Sequence, residues 1–203
     1  MKINSIVIKN SGYVYCKSNF YFAGDALNST KYNFTVGVNR LTGEIDSEIW
    51  AVSYLLSMYR HRPKDFVLFD DPSVIVNNKE ISLNEISSAS CYMDMIHPLF
   101  HSKHSARKLV EQGIRKTRIN FSTQDIKNIF GLDDERFEKP LSCTGNEVFR
   151  AMSAVAFAHD IQIFCFPWMS KKRFDSYHAN LTILLEVLEK QNKIVIVPVG
   201  ETP

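Results

Sequence analysis

Two short apolar runs, Ile161–Phe166 (interrupted only by Gln162) and Ile194–Val199, constrain the fold more than any other feature of the chain. Both have the length of a strand, and both fall far short of the roughly 18 apolar residues of a membrane span. A run of this length without polar alternation reads as a strand covered on both faces, the usual state of a strand in a parallel sheet. The segments preceding them, Asn146–His159 and Tyr177–Gln191, carry apolar residues at helical spacing. Helix, strand, helix, strand with both strands buried is the pattern of an α/β domain.

The rest of the chain extends this order. Ser5–Lys9, Tyr13–Cys16, Asn19–Phe22 and Asn33–Val38 read as N-terminal strands separated by Asn, Ser and Gly. A polar turn over Leu41–Ser47 leads into a helix over Glu48–Tyr59, which Arg60–Pro63 ends. Asp65–Phe69 and Val74–Val76 read as short strands around an Asp-Asp-Pro turn, and Ser87–Met93 as another. Ser82 with Glu85, and Ser122 with Asp125, have the spacing of capping boxes. Between residues 102 and 145 the pattern is charged and helical, with Ser105–Lys116 as one helix and Gly131 as the stop of the next. This reads as a helical subdomain inserted in a single domain spanning 1–203.

The chain of 203 residues is 45% hydrophobic and 23% charged, enough for one compact domain with a real core. Its net charge of +2 is spread along the chain, so no basic stripe points to nucleic acid. The first ten residues, MKINSIVIKN, are too polar for a signal peptide, and a soluble cytoplasmic chain is expected. Cys16, Cys91, Cys143 and Cys165 lack paired C-x-x-C spacing and read as reduced thiols.

Four stretches, in order, resemble the ATP-binding-cassette family. Members of that family carry G-x-x-G-x-G-K-S/T between a strand and a helix; the matching place here is Gly43–Trp50. Their L-S-G-G-Q segment, which precedes a helix, is similar to Leu141, Ser142, Cys143, Thr144 and Gly145. Their next strand ends in D-E-P, where this chain has Ile161–Ser170 with Pro167 and Trp168. Their last strand ends in a switch histidine, where this chain has Val199. The segment Ser90–Ile96 resembles the glutamine-bearing loop, with Met95 or Asp94 at the glutamine position. The resemblance implies a P-loop NTPase-like α/β fold: a mostly parallel sheet, N-terminal antiparallel strands and an inserted helical subdomain.

The departures from the family pattern carry the functional expectation. A phosphate loop works because glycines let backbone N–H groups approach the phosphates, while a lysine and a helix N-terminus add positive charge. Here Asp46 and Glu48 stand where glycines belong, Ile49 replaces the lysine and Trp50 the magnesium-binding hydroxyl. Like charges 4 Å apart repel by about 4 kcal/mol at an effective dielectric of 20. Glu44, Asp46 and Glu48 would therefore oppose a triphosphate; as a plain alternative, Asp46 and Ser47 cap the helix that follows. Pro167 and Trp168 can neither hold magnesium-bound water nor act as base.

Other signals carry less. His97, His101 and His104 have a spacing that a metal could use, but Pro98 interrupts it and the surroundings read as a solvated loop. Cys165 lies in an apolar strand, where thiols are packing; Ser142 reads as a helix cap, and Lys171–Arg173 as a solvated basic turn. Trp50 and Trp168 are expected near one another at the rim of the cleft, filling it or forming an aromatic dimer interface.

The expectation is a degenerate cassette that does not hydrolyse ATP, has no catalytic residues and needs no cofactor. It would work as a subunit or accessory factor of an ABC transport system, as a homodimer or beside a cassette subunit or membrane permease. It would touch the inner face of the membrane only through that partner. Two alternatives stay open: an atypical ATPase subunit that uses ATP and magnesium through Gly43, Ser47 and Ser142, and a peptide or small-molecule module reusing the cleft.

Overall fold

The computed structural model describes residues 2–9, 14–16, 31–43, 48–62, 66–68 and 72–201. The expected strand over Asn19–Phe22 lies outside the described residues. In chain order the N-terminal half comprises β1 (Ser5–Lys9), β2 (Val14–Cys16), β3 (Lys31–Thr35), β4 (Gly37–Thr42) and helix α1 (Glu48–Met58). These are followed by β5 (Phe66–Leu68), β6 (Ser73–Val76), β7 (Lys79–Ile81), α2 (Leu83–Ser88) and β8 (Ser90–Tyr92). The second half holds α3 (Ala106–Thr117), α4 (Thr123–Ile129), α5 (Asp134–Phe137) and α6 (Val148–Ala158). It closes with β9 (Ile163–Cys165), α7 (Lys171–Ser176), α8 (His178–Lys190) and β10 (Ile194–Val199).

The two apolar runs do become strands buried on both faces. They sit centrally in a parallel sheet of order β4-β10-β9-β8. Ile194, Ile196, Ile163 and Cys165 face one core, and Val195, Val197 and Phe164 face the other. The second sheet is antiparallel, in the order β3-β1-β6-β7, and β2 pairs separately with β5. Alternation in β1 and β6 turns Ile6, Ile8, Val74 and Val76 inward.

Helix α1 lies between the two sheets. Every residue from Ile49 to Met58 is buried, so the helix is enclosed all round rather than amphipathic. Its serines are satisfied inside that core: Ser53 Oγ donates to Phe166 O at 2.7 Å, and Ser57 Oγ donates to Ser53 O at 2.7 Å. On the other face of the parallel sheet, α3, α4, α6 and α8 pack into one continuous cluster with β9 and β10.

Both capping boxes form, at Ser82/Glu85 and Ser122/Asp125. Gly131 takes φ +58° just after α4, a left-handed stop that glycine adopts freely. Several readings of elements need correction. The strand expected over Asn33–Val38 is divided between β3, which ends at Thr35, and β4, which begins at Gly37 (φ 104°) in the other sheet. The segment Ser87–Met93 is not one strand, because α2 runs through Ser88 and only Ser90–Tyr92 pairs. Lys171–Arg173 is not a turn but the first turn of α7, capped by Ser170 Oγ on Arg173 N. Strand β7 went unread; its signal was Asn77-Asn78, which take φ 48° and 66° in the hairpin joining it to β6. No helix among the described residues is long and apolar enough to cross a membrane.

Candidate functional site

In open α/β sheets ligands bind at the carboxyl ends of the strands. Here the ends of β4, β10 and β9 converge. Thr42 pairs with Val199, and Gly43 N donates to Val199 O at 3.1 Å, so the ladder continues to Gly43. Glu44, Asp46 and Ser47 lie outside the described residues, as does the proposed cap. Helix α1 then begins at Glu48.

The two residues expected at the lysine and hydroxyl positions are buried. Ile49 and Trp50 are each 6% exposed and belong to the core between the sheets. Trp50 stacks on Tyr54 with ring centroids 4.9 Å apart, and Tyr54 meets the edge of Tyr92. Burial holds the Tyr92 phenol well above its ordinary range. Buried in the first turn of an enclosed helix, the Trp50 ring has almost no surface for the dimer interface that stood as the alternative to filling the cleft.

The end of β9 is shaped by Pro167. Pairing with β10 passes from Cys165↔Ile196 to Met169↔Val199, four residues advanced on one strand against three on the other. One extra residue must bulge. Proline has no N–H for the ladder, so the bulge falls at Pro167-Trp168. Met169 rejoins through its N–H to Pro198 O at 3.2 Å, and Gly200 N donates to Met169 O at 2.8 Å. The bulge throws the Trp168 indole across the strand ends, where Nε1 donates to Gly43 O at 2.9 Å. The ring also covers Gly200: a Cβ there would stand 2.9 Å from Trp168 Cζ2. Trp168 is half-buried, packed against the cluster that contains Trp50.

The segment 141–145 lies on a different element. Leu141–Cys143 and Gly145–Glu147 form two tight 3₁₀ turns ahead of α6. Leu141 is core, and buried Thr144 donates its Oγ1 proton to Leu141 O at 2.7 Å. The N–H groups of Cys143, Thr144 and Glu147 donate to Pro140, Leu141 and Thr144 carbonyls, so they are already engaged. Ser142 is exposed and caps nothing, which corrects that reading: α6 starts at Val148, and its N-cap residue Glu147 makes no side-chain cap. No hydrogen bond among the described residues joins 141–145 to the strand ends.

The histidine reading also changes. His97 is buried, not solvated: its Nδ1 accepts from Leu99 N at 3.3 Å and lies 3.6 Å from Cys91 Sγ. Burial lowers its pKa to about 4, with His61 and His101 adding to the effect. His101 and His104 point outward, and no group of three or more His, Cys, Asp or Glu among the described residues could hold a metal ion. Asp94 closes its own turn by accepting from Ile96 N at 3.0 Å, and Met95 packs on the core. Burial pushes the Cys165 thiol up to about 12 and the Cys91 thiol upward as well, so neither is a nucleophile near neutral pH.

A pocket of about 390 Å³ escaped the sequence reading. It opens beside the strand ends on the face away from α1, lined among others by Arg40, Thr42, Lys171, Phe174 and Asp175. Its residues come from three distant elements, so no local motif announces it.

No protein-family model and no curated protein sequence matches the chain. Solved structures do. The chain is similar to an ABC transporter ATP-binding protein from Pyrococcus furiosus, with TM-score 0.64, 14% identity, and coverage of 98% of this chain and 96% of that one. A bacterial Atm1-family ABC exporter with ATP bound gives TM-score 0.61 at 10% identity over 99% of this chain and 35% of that one. A dimeric, post-hydrolysis ATP-binding cassette bound to ADP and phosphate gives 0.59 at 14% identity over 97% and 88%. The fold is that of an ATP-binding cassette.

Within a cassette fold, the strand end at Phe166–Met169 offers no carboxylate or hydroxyl side chain to a magnesium ion. Its one polar group, the indole N–H, is a donor and is committed to Gly43 O. These residues do not fit a magnesium–nucleotide site.

Proposed function

We propose that the chain is a cassette-fold subunit or accessory factor of an ABC transport system that does not hydrolyse ATP. In this reading residues 1–203 are one cassette and 102–145 its helical subdomain. The observation that carries it is the indole tie between Trp168 and Gly43. Where the family resemblance calls for carboxylates beside a phosphate loop, this chain uses a hydrogen-bonded aromatic ring to hold the strand ends together. Ile49 and Trp50 turned into the core, and the carboxylates of Glu44, Asp46 and Glu48, favour the same reading. The role would be conformational: the cassette docks on a second cassette, or on a membrane permease at its cytoplasmic face, and holds that partner's shape. That solved cassettes of similar fold include a dimer and an exporter supports a partner of this kind.

The test is a competition titration of a fluorescent ATP analogue, with phosphate release followed on the same sample. Neither saturable binding at millimolar Mg–ATP nor release above the buffer blank is expected. Steady release abolished by replacing Ser47 or Ser142 with alanine would instead make the chain an atypical ATPase.

A further inference from the structure

Strand β4 has a neighbour on one side. Among the described residues it pairs with β10 and with no other strand. The N–H groups of Gly37 and Gly43 donate to Lys193 and Val199 carbonyls, which fixes the orientation of the ladder. Alternate residues of a parallel strand bond to opposite neighbours, so the backbone groups of Val38, Arg40 and Thr42 face outward along the free edge.

Those same three residues share one face of the strand, and two pockets follow them. The first, about 360 Å³, is lined by Val38 and Arg40 together with Leu185, Glu186 and Glu189 of α8. The second, about 390 Å³, is lined by Arg40 and Thr42 together with Lys171, Asp175 and Glu201. Successive same-face residues thus open successive pockets, one two-residue step or about 7 Å apart. That is the spacing of same-face side chains on a strand laid alongside.

Charge selects what would lie there. The side-chain carboxylates of Glu186, Glu189, Asp175 and Glu201 make no ion pair or hydrogen bond among the described residues. They face two cations, Arg40 and Lys171, and the Arg40 guanidinium sits over the Phe174 ring at 5.4 Å. The first pocket sets Glu186 and Glu189 against Arg40 and is acidic, whereas the second balances Asp175 and Glu201 against Arg40 and Lys171.

We propose that the free edge of β4 binds an extended peptide segment that carries a lysine or arginine where it passes Val38 and Arg40. The segment adds to the sheet as a further strand and seats a basic side chain in the first pocket, beside Glu186 and Glu189. Its backbone bonds to Val38, Arg40 and Thr42 supply affinity, and that pocket supplies selectivity. The site runs along the sheet edge, with its second pocket adjoining the strand ends at Val199 and Gly200, and its test involves no nucleotide.

The full chain is titrated with fluorescein-labelled Val-Lys-Val-Lys-Val-Lys amide and followed by anisotropy. Saturable binding is expected, with new hydrogen-exchange protection at the Val38, Arg40 and Thr42 amides. The doubly substituted Glu186→Gln/Glu189→Gln chain, altered at exposed positions, should keep its thermal midpoint yet bind roughly tenfold more weakly. A peptide N-methylated at alternate residues should not bind. Equal binding of Val-Glu-Val-Glu-Val-Glu, or no saturation at millimolar peptide, overturns the proposal. So does protection of the three amides in the free chain: independent of concentration, it means the chain covers its own edge; rising with concentration, it means a second copy does.

Discussion

Trp168 does two things that substitution can separate. Trp168→Phe keeps an aromatic ring over Gly200 but removes the donor to Gly43 O. Urea unfolding should show a loss of about 1 kcal/mol, the net worth of one such bond. Gly200→Ala places a methyl 2.9 Å from Trp168 Cζ2 and should cost about 1–3 kcal/mol by overpacking. Combined with Trp168→Ala, the Gly200→Ala cost should shrink, because the atom it strikes is gone; additive costs would show that the ring is not what glycine accommodates. His97 makes stability depend on pH. Its folded pKa of about 4 lies below the unfolded value of 6.5, so the unfolded chain takes up the proton first. Stability is full above pH 6.5 and falls as pH drops toward 4, by about 3 kcal/mol in total. His97→Asn, which keeps an acceptor for Leu99 N, should flatten that slope; His61 and His159, also lowered by burial, leave a residual one. At this scale the sequence was a partial guide. That Ile49 and Trp50 cannot handle phosphate follows from their chemistry, whereas the direction they face depends on a second sheet that only tertiary structure brings over α1. Likewise, Pro98 hinted at a turn after His97, but the turn's burial comes from elements far along the chain.

Elements were legible where their hydrophobic pattern was unambiguous. Ile194–Val199 could only be a strand with both faces covered, and the two capping boxes marked helix starts by local chemistry alone. Short edge pieces were not: β7 has three residues and no buried side chain, so no period-2 pattern reveals it. Helix contacts are hidden for a different reason. Gly113 sits where α3 crosses α6, and a Cβ there would stand 2.7 Å from His159 Cδ2 and 2.8 Å from the Ala158 carbonyl carbon. Alanine normally gains about 1 kcal/mol over glycine inside a helix. Gly113→Ala should instead destabilise by about 2 kcal/mol, since backbone cannot move aside as a flexible side chain can. A measured gain in the denaturant midpoint would mean the two helices can part at little cost. Ser53 tests the other face of the molecule. Ser53→Ala leaves the Phe166 carbonyl without its buried donor and should cost about 1–2 kcal/mol in the same assay.

At the scale of the whole molecule, the order of elements carries the fold. An antiparallel sheet and a parallel sheet in a mixed α/β fold match cassettes at 10–14% identity, which only pattern and packing can preserve. The cleft at the strand ends is held together by an indole and lacks a magnesium donor at Phe166–Met169. The direct test is the thermal midpoint of the full chain with and without millimolar Mg–ATP. A ligand at a hundred times its dissociation constant stabilises by about 2.7 kcal/mol. For a chain of this size that is a rise of roughly 5–10 °C. The account predicts an unchanged midpoint; a rise of several degrees that needs magnesium would contradict it.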